Sequence, residues 1–328
     1  MHGSSSISSS RGNSSSPGPQ GFGPAFILDP VQGYEHTHTA VMLHGRGSGA
    51  EEFADELMES RLSDGRNLRE ALLGWRWVFP SSRELWSETF EEYMPAWFEA
   101  RSLTDITARQ DLQIEGIEAS VEYVKAVLEE ERERVGWRPE RLVLGGISQG
   151  GAVGIWTLLS MGETLSKGPG AYVGASSWIP FGDTVERILG IASVSDPAVD
   201  APRGEVESQA HPVDAGVAHD THSGSGHHPS LETKTETRPF DSFVFRMMKL
   251  TDDGKLTETP HPGIPVLLGH GVDDAYVDVD LGRQAARLLS RAGHKIDWRE
   301  YSGAEQEGHW FQVPNQMDHL YEFLQEQG

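Results

Sequence analysis

A chain of 328 residues with 27 Lys and Arg against 50 Asp and Glu has a formal charge of -23. A field of that sign repels phosphate backbones and anionic membrane surfaces, which argues against a nucleic-acid partner. The chain has no Cys, which excludes disulfides, Cys-ligated zinc, thiolate catalysis and a palmitoyl or prenyl anchor.

In chain order, residues 1–24 are Ser, Gly and Pro with few groups worth burying, and they predict a disordered tail. That tail lacks the apolar core of a signal peptide. No later stretch approaches the roughly eighteen apolar residues needed to span a bilayer, so a cytoplasmic protein without an integral membrane segment is expected. Residues 25–328 are expected to form a single domain. Strand candidates are "AFILDPV" (25–31), "TAVMLHG" (39–45), "WRWVFP" (75–80), "RLVLGG" (141–146), "AYVGASSWI" (171–179), "IPVLLGHG" (264–271) and "KIDWREYS" (295–302). Several are continuous Val, Leu and Ile runs, as expected of strands covered on both faces. Ile117, Val121, Val124 and Leu128 recur at helical spacing, and "NQMDHLYEFLQEQG" predicts a closing helix. The stretch 195–238 is polar, almost free of large apolar residues, and reads as a surface insertion. His211, His219, His222, His227 and His228 fall within it at irregular spacing, which favours solvated low complexity over a metal site. Behind it, the apolar block 241–250 reads equally as a lid or as core. Strands separated by helices imply a mostly parallel α/β sheet with helices on both faces and a ligand site beyond the carboxyl ends of the strands.

The residues following each strand therefore carry the chemistry. After "RLVL" comes Gly146-Ile147-Ser148-Gln149-Gly150, and an apolar helix "AVGIWTLL" begins directly behind it. G-x-S-x-G alone is a weak signal; the strand-turn-helix setting is what a nucleophile elbow requires, an ordinary βα turn being the bland alternative. A Ser needs a base, and the base an orienting acid. Asp273 and Asp274 follow the strand "IPVLLGHG", and His309 lies in the loop after the final strand. His319 falls inside the closing helix pattern, and His270 at a strand end is expected to be structural. The glycine-rich "VMLHGRGSGAEEF" suits an oxyanion hole built from the Arg46 and Gln149 amides. Gly45, Gly47 and Ala50 also fit a loose G-x-G-x-x-A dinucleotide fingerprint. That reading demands an acid at the end of the next strand, where none occurs before Glu84.

With "LHGRGSG", "YMPAWFEA", "RLVLGGISQGGAVGIWTLL", "SSWIP", "GHGVDDAYV" and "EGHWF" in this order, the chain resembles the acyl-protein thioesterase, lysophospholipase and carboxylesterase family of α/β-hydrolases over residues 36–180 and 262–326. The resemblance implies an α/β-hydrolase fold with Ser148 as nucleophile, Asp274 as orienting acid and His309 as base. The register His-Gly-x-x-Asp selects Asp274, with Asp273 in reserve. It further implies an oxyanion hole at Arg46 and Gln149, no cofactor or metal, and an acyl ester or thioester on a small molecule, lysolipid or protein as substrate. The runner-up is a hydrolase fold kept as a non-catalytic binding module. Trp86, Met94, Trp97 and Trp178 are candidates for an acyl-pocket lining. Two positions depart from the family pattern. Ala275 stands where Pro usually follows the acid. Arg46-Gly47-Ser48 replaces the frequent Leu-Gly-Asp, so Arg46 either brings positive charge to the site or points into solvent.

Overall fold

The computed structural model describes residues 21–102, 105–161, 168–191, 240–250 and 263–327. Residues 1–20 and the expected insertion at 195–238, with its five histidines, lie outside the described residues.

Side-chain alternation along the buried strands generates the layers. In β2 (His38–Leu43), Val41 and Leu43 enter one apolar core while Ala40 and Met42 enter a second. β6 (Leu142–Ile147) divides the same way, Leu142 and Leu144 against Val143 and Ile147. Strands buried on both faces need helices on both faces. The first core is closed by α3 (Gln113–Arg134), α4 (Ser148–Met161) and α7 (Val279–Arg291), the second by α1 (Ala50–Glu59) and α8 (Asn315–Gln325). Short helices α2 (Leu68–Ala71) and α5 (Gly182–Ile188) fill the connections.

The central sheet runs β1 (Phe26–Leu28), β3 (Trp75–Phe79), β2, β6, β7 (Ala171–Ala175), β8 (Pro265–Gly271), β9 (Lys295–Tyr301). Only β1 is antiparallel to its neighbour, and every other pairing is parallel. The carboxyl ends of six strands thus open on one edge, as a mostly parallel α/β sheet requires.

Two expectations need adjustment, one element goes beyond them, and one open reading is resolved. Phe22 belongs to the core and not to a tail ending at residue 24: it is 4 % exposed and stacks on Tyr123 with ring centroids 4.2 Å apart. The strand expected over 171–179 stops at Ala175, because Ser176 adopts φ 46° and turns the chain. A second sheet, the hairpin of β4 (Arg83–Ser87) and β5 (Glu92–Ala96), was not visible as strands. Its turn carries Glu91 at φ 53° instead of a Gly, so the usual hairpin signal is missing. Finally, α6 (Asp241–Met248) is core and not a lid, since Phe243 and Val244 are buried and Phe243 packs edge-on against Trp156 at 5.1 Å.

Candidate active site

The first residue after β6 is Ser148, with φ 53°. A left-handed non-glycine backbone costs about 1–3 kcal/mol and persists only where surrounding packing enforces it. The packing here is severe. A β-carbon on Gly146 would lie 2.7 Å from the Gly150 carbonyl carbon, and one on Gly150 would lie 2.4 Å from the carbonyl oxygens of Leu43 and His44. The two glycines of G-x-S-x-G are therefore demanded by the crossing of β2, β6 and α4. Between residues 142 and 161, Ser148 alone is not buried.

β2 delivers the neighbouring loop. A β-carbon on Gly45 would sit 3.5 Å from Ser148 Cβ, which puts the Arg46 amide beside the elbow. That amide makes no hydrogen bond to another described residue. The Gln149 amide lies in the first turn of α4, whose N–H groups have no intrahelical partner. The backbone at Gly45 and at Gln149 thus flanks Ser148. The Gly47 amide, in contrast, donates to Pro95 O at 2.8 Å and is not offered to a dinucleotide phosphate.

A buried framework fixes this loop. His44 sits at its base, 1 % exposed, with Nδ1 2.7 Å from Gly45 O while Nε2 accepts from the Ser82 amide at 3.1 Å. A carbonyl only accepts, so Nδ1 carries the proton and the ring is the neutral tautomer. Burial lowers its pKa to about 4, overriding the Gly45 hydrogen bond and nearby Glu52. The Gln149 side chain accepts from the Trp97 amide at 2.9 Å and donates to Phe98 O at 2.8 Å. The Trp97 indole donates to His44 O at 2.8 Å, and Ser120 Oγ donates to Trp97 O at 2.7 Å. Neither the Gln149 side chain nor His44 was recognised from sequence in this role.

Asp274 and His309 are brought together by the loops after β8 and β9. His309 Nδ1 lies 2.8 Å from Asp274 Oδ2, and Asp274 Oδ1 accepts from the amides of Tyr276 and Val277, each at 2.9 Å. Burial alone would raise the Asp274 pKa. Hydrogen bonds from His270 and His309, the His309 charge and the Val277 amide outweigh it and hold this carboxyl well below the usual carboxylate range. Asp273 is engaged elsewhere, accepting from the Gly303 amide at 2.8 Å, which leaves Asp274 as the partner of His309. Ala275 ties the two loops, its amide donating to Glu307 O at 3.0 Å, a bond that Pro could not make. His319 sits in α8 with Nδ1 2.9 Å from Tyr301 Oη, away from this pair.

The expected pocket residues separate. Trp97 is fully buried and acts as a strut, which corrects its reading as pocket lining, because its ring is covered by His44, Phe22 and Tyr123. Trp178 is buried edge-on to Phe98, its indole N–H unpaired among the described residues. Trp86 is 46 % exposed on β4 against Tyr93, and Met94 pairs with Leu85 across the hairpin. Arg46 points neither freely into solvent nor at an unmet charge. Its Nη2 donates to Ser87 Oγ at 3.0 Å and its Cζ lies 5.9 Å from the Phe90 ring centroid. Burial lowers its pKa, partly offset by Glu99.

Set beside known proteins, the profile of the phospholipase/carboxylesterase family matches residues 30–193, half of the chain. Acyl-protein thioesterase 1 of Gibberella zeae is 25% identical over 297 residues, covering 89% of this chain and 92% of the relative. A probable carboxylesterase of Oryza sativa subsp. japonica is 35% identical over 115 residues, 34% of this chain and 41% of the relative. The crystal structure of Zea mays acyl-protein thioesterase 2 superposes with a TM-score of 0.55 at 18% identity, covering 93% of this chain and 99% of that one.

Proposed function

The chain belongs to the phospholipase/carboxylesterase family of α/β-hydrolases, and from that premise we propose that it hydrolyses carboxylic esters or thioesters with Ser148 as nucleophile, His309 as base and Asp274 as orienting acid. The observation that carries this reading is the 2.8 Å contact of His309 Nδ1 with the buried Asp274 carboxylate, on the same sheet edge as the strained Ser148 elbow. An acceptor on Nδ1 sets the tautomer that leaves Nε2 free to take a proton.

His309 Nε2 removes the Ser148 hydroxyl proton as Oγ attacks the acyl carbonyl, and the oxyanion that develops lies against the Arg46 and Gln149 amides. Collapse expels the alcohol or thiol, which takes the proton from His309. An acyl-enzyme remains on Ser148. Water, deprotonated by the same His309, attacks that acyl group, and collapse returns the proton to Ser148 and frees the acid.

The activity is of the acyl-protein thioesterase or carboxylesterase type, carried by one catalytic domain; the two apolar cores on either face of one sheet, the first gathering residues from Phe22 to Leu289, support the latter. Among the described residues no helix is long and apolar enough to cross a membrane. The test is Ser148→Ala with p-nitrophenyl esters and their thioester counterparts across acyl lengths. The variant should lose at least about a thousand-fold in kcat/KM and all labelling by a fluorophosphonate probe. Full turnover by Ser148→Ala would remove the nucleophile, and a wild-type protein that takes no probe would favour a non-catalytic binding module.

A further inference from the structure

His270 occupies the second-to-last position of β8, 1 % exposed, with its ring 6.1 Å from that of Trp298. Its Nδ1 edge faces α7, where a β-carbon on Gly282 would fall 2.4 Å away, so the ring has no room to swing aside. The opposite edge meets the acid loop. Nε2 lies 2.9 Å from Val277 O and 3.4 Å from Asp274 Oδ2. Since the Val277 carbonyl can only accept, Nε2 carries a hydrogen, and that single N–H faces two oxygens.

This position matters because of what the Asp274 carboxylate must do. Oδ1 is filled by two backbone amides, and Oδ2 must be aimed at His309 from a loop that lacks the Pro usual after the acid. We propose that His270 is a positioning residue for the reaction: through Nε2–H it clamps Val277 O and Asp274 Oδ2 together and so fixes the carboxylate in the orientation that His309 requires. The inference rests on the reading of Asp274 as the orienting acid. The direction of the Asp274 pKa, in which the hydrogen bond from His270 is the largest influence opposing burial, agrees with it.

The experiment is a double-mutant cycle on purified full-length protein with p-nitrophenyl butyrate, combining His270→Leu and His270→Gln with Asp274→Asn. Gln places an amide N–H near the Nε2 position, whereas Leu removes the donor. Folding is checked by near-UV circular dichroism. A hydrogen bond to a carboxylate at this long distance is at the weak end of its range, so His270→Leu should lower kcat about ten-fold with KM within about two-fold. His270→Gln should recover most of that loss. In the Asp274→Asn background, His270→Leu should change the residual kcat by less than about two-fold, because the residue it acts through is already disabled.

The proposal is overturned if His270→Leu matches wild type while Asp274→Asn is crippled, which would leave the triad reading standing. It is overturned equally if Leu and Gln lower kcat alike, or if the Leu effect persists in full beside Asp274→Asn, since either result marks packing. Asp274→Asn with wild-type activity would instead remove the acid assignment itself. Should His270→Leu not fold, His270→Asn, whose shorter amide stops short of Asp274, replaces it with the same expected values.

Discussion

Replacing Gln149 by Leu tests whether the segment before α3 braces the oxyanion loop. The substitution keeps the backbone amide and nearly the side-chain volume, and it deletes both hydrogen bonds, to the Trp97 amide and the Phe98 carbonyl. Both groups would then be buried without a partner. At about 1–3 kcal/mol for each, the loss of stability is about 2–6 kcal/mol, or a fall in Tm of about 3–9 °C in a chain of this size. The catalytic effect follows from what the segment supports: Pro95 O accepts the Gly47 amide, and His44 O accepts the Trp97 indole, one residue to each side of the Gly45-Arg46 peptide. Full loss of an oxyanion donor costs about 100- to 1,000-fold in kcat, so a loosened one should cost about 10- to 100-fold. Thermal unfolding, and kcat for p-nitrophenyl butyrate at about 15 °C where the variant stays folded, give the two readouts. A lowered Tm with unchanged kcat would refute the bracing argument. An unchanged Tm would refute the hydrogen-bond pattern itself.

The remaining predictions concern the loops and protonation. Ala275→Pro removes the amide that donates to Glu307 O, so despite restoring the residue usual in the family it should lower kcat/KM about three- to ten-fold; equal or higher activity would show that this bond does not align the loops. The folded-state pKa of His44, about 4, lies below the ordinary value of 6.5, so the unfolded chain binds the extra proton first. The stability His44 contributes is complete above about 6.5 and is lost as pH falls towards 4, by about 3 kcal/mol in all. His44→Gln should therefore show a flatter dependence of urea midpoint on pH across that window, and parallel curves would contradict the neutral tautomer. Phe22→Ala should destabilise by about 3–5 kcal/mol in urea unfolding, since its ring fills the space beside Tyr123 and Trp97; a shift below about 1 kcal/mol would return residue 22 to the tail.

What the sequence made legible has a common physical origin. Ser148 directly follows the buried strand β6, Asp274 lies just past the buried strand β8, and His309 lies in the loop after β9, so hydrophobic runs and punctuating glycines locate them without knowledge of tertiary contacts. The elbow is legible for a further reason, because Gly146 and Gly150 answer to backbone atoms only a few residues or one strand away. The buried framework is a different matter. Gln149 meets Trp97 and Phe98 across more than fifty residues of chain, and a Gln in Ser-Gln-Gly-Gly looks the same whether its side chain faces solvent or spans two backbone groups. The β4–β5 hairpin was hidden by its composition, with Glu84, Glu88, Glu91 and Glu92 interrupting the apolar signal and no glycine at the turn.

His270 marks the boundary between the two kinds of information. Its place before Gly271 at a strand end suggested a packed, structural histidine, and its burial agrees with that expectation. A buried imidazole nevertheless needs a partner for the hydrogen it carries. The groups within reach of Nε2 are fixed by the path of residues 272–277, which double back so that Val277 O and Asp274 Oδ2 face the same edge of the ring. Sequence gives the residue type and the strand. Only the return of the loop brings this core histidine against the Asp274 carboxylate that meets His309.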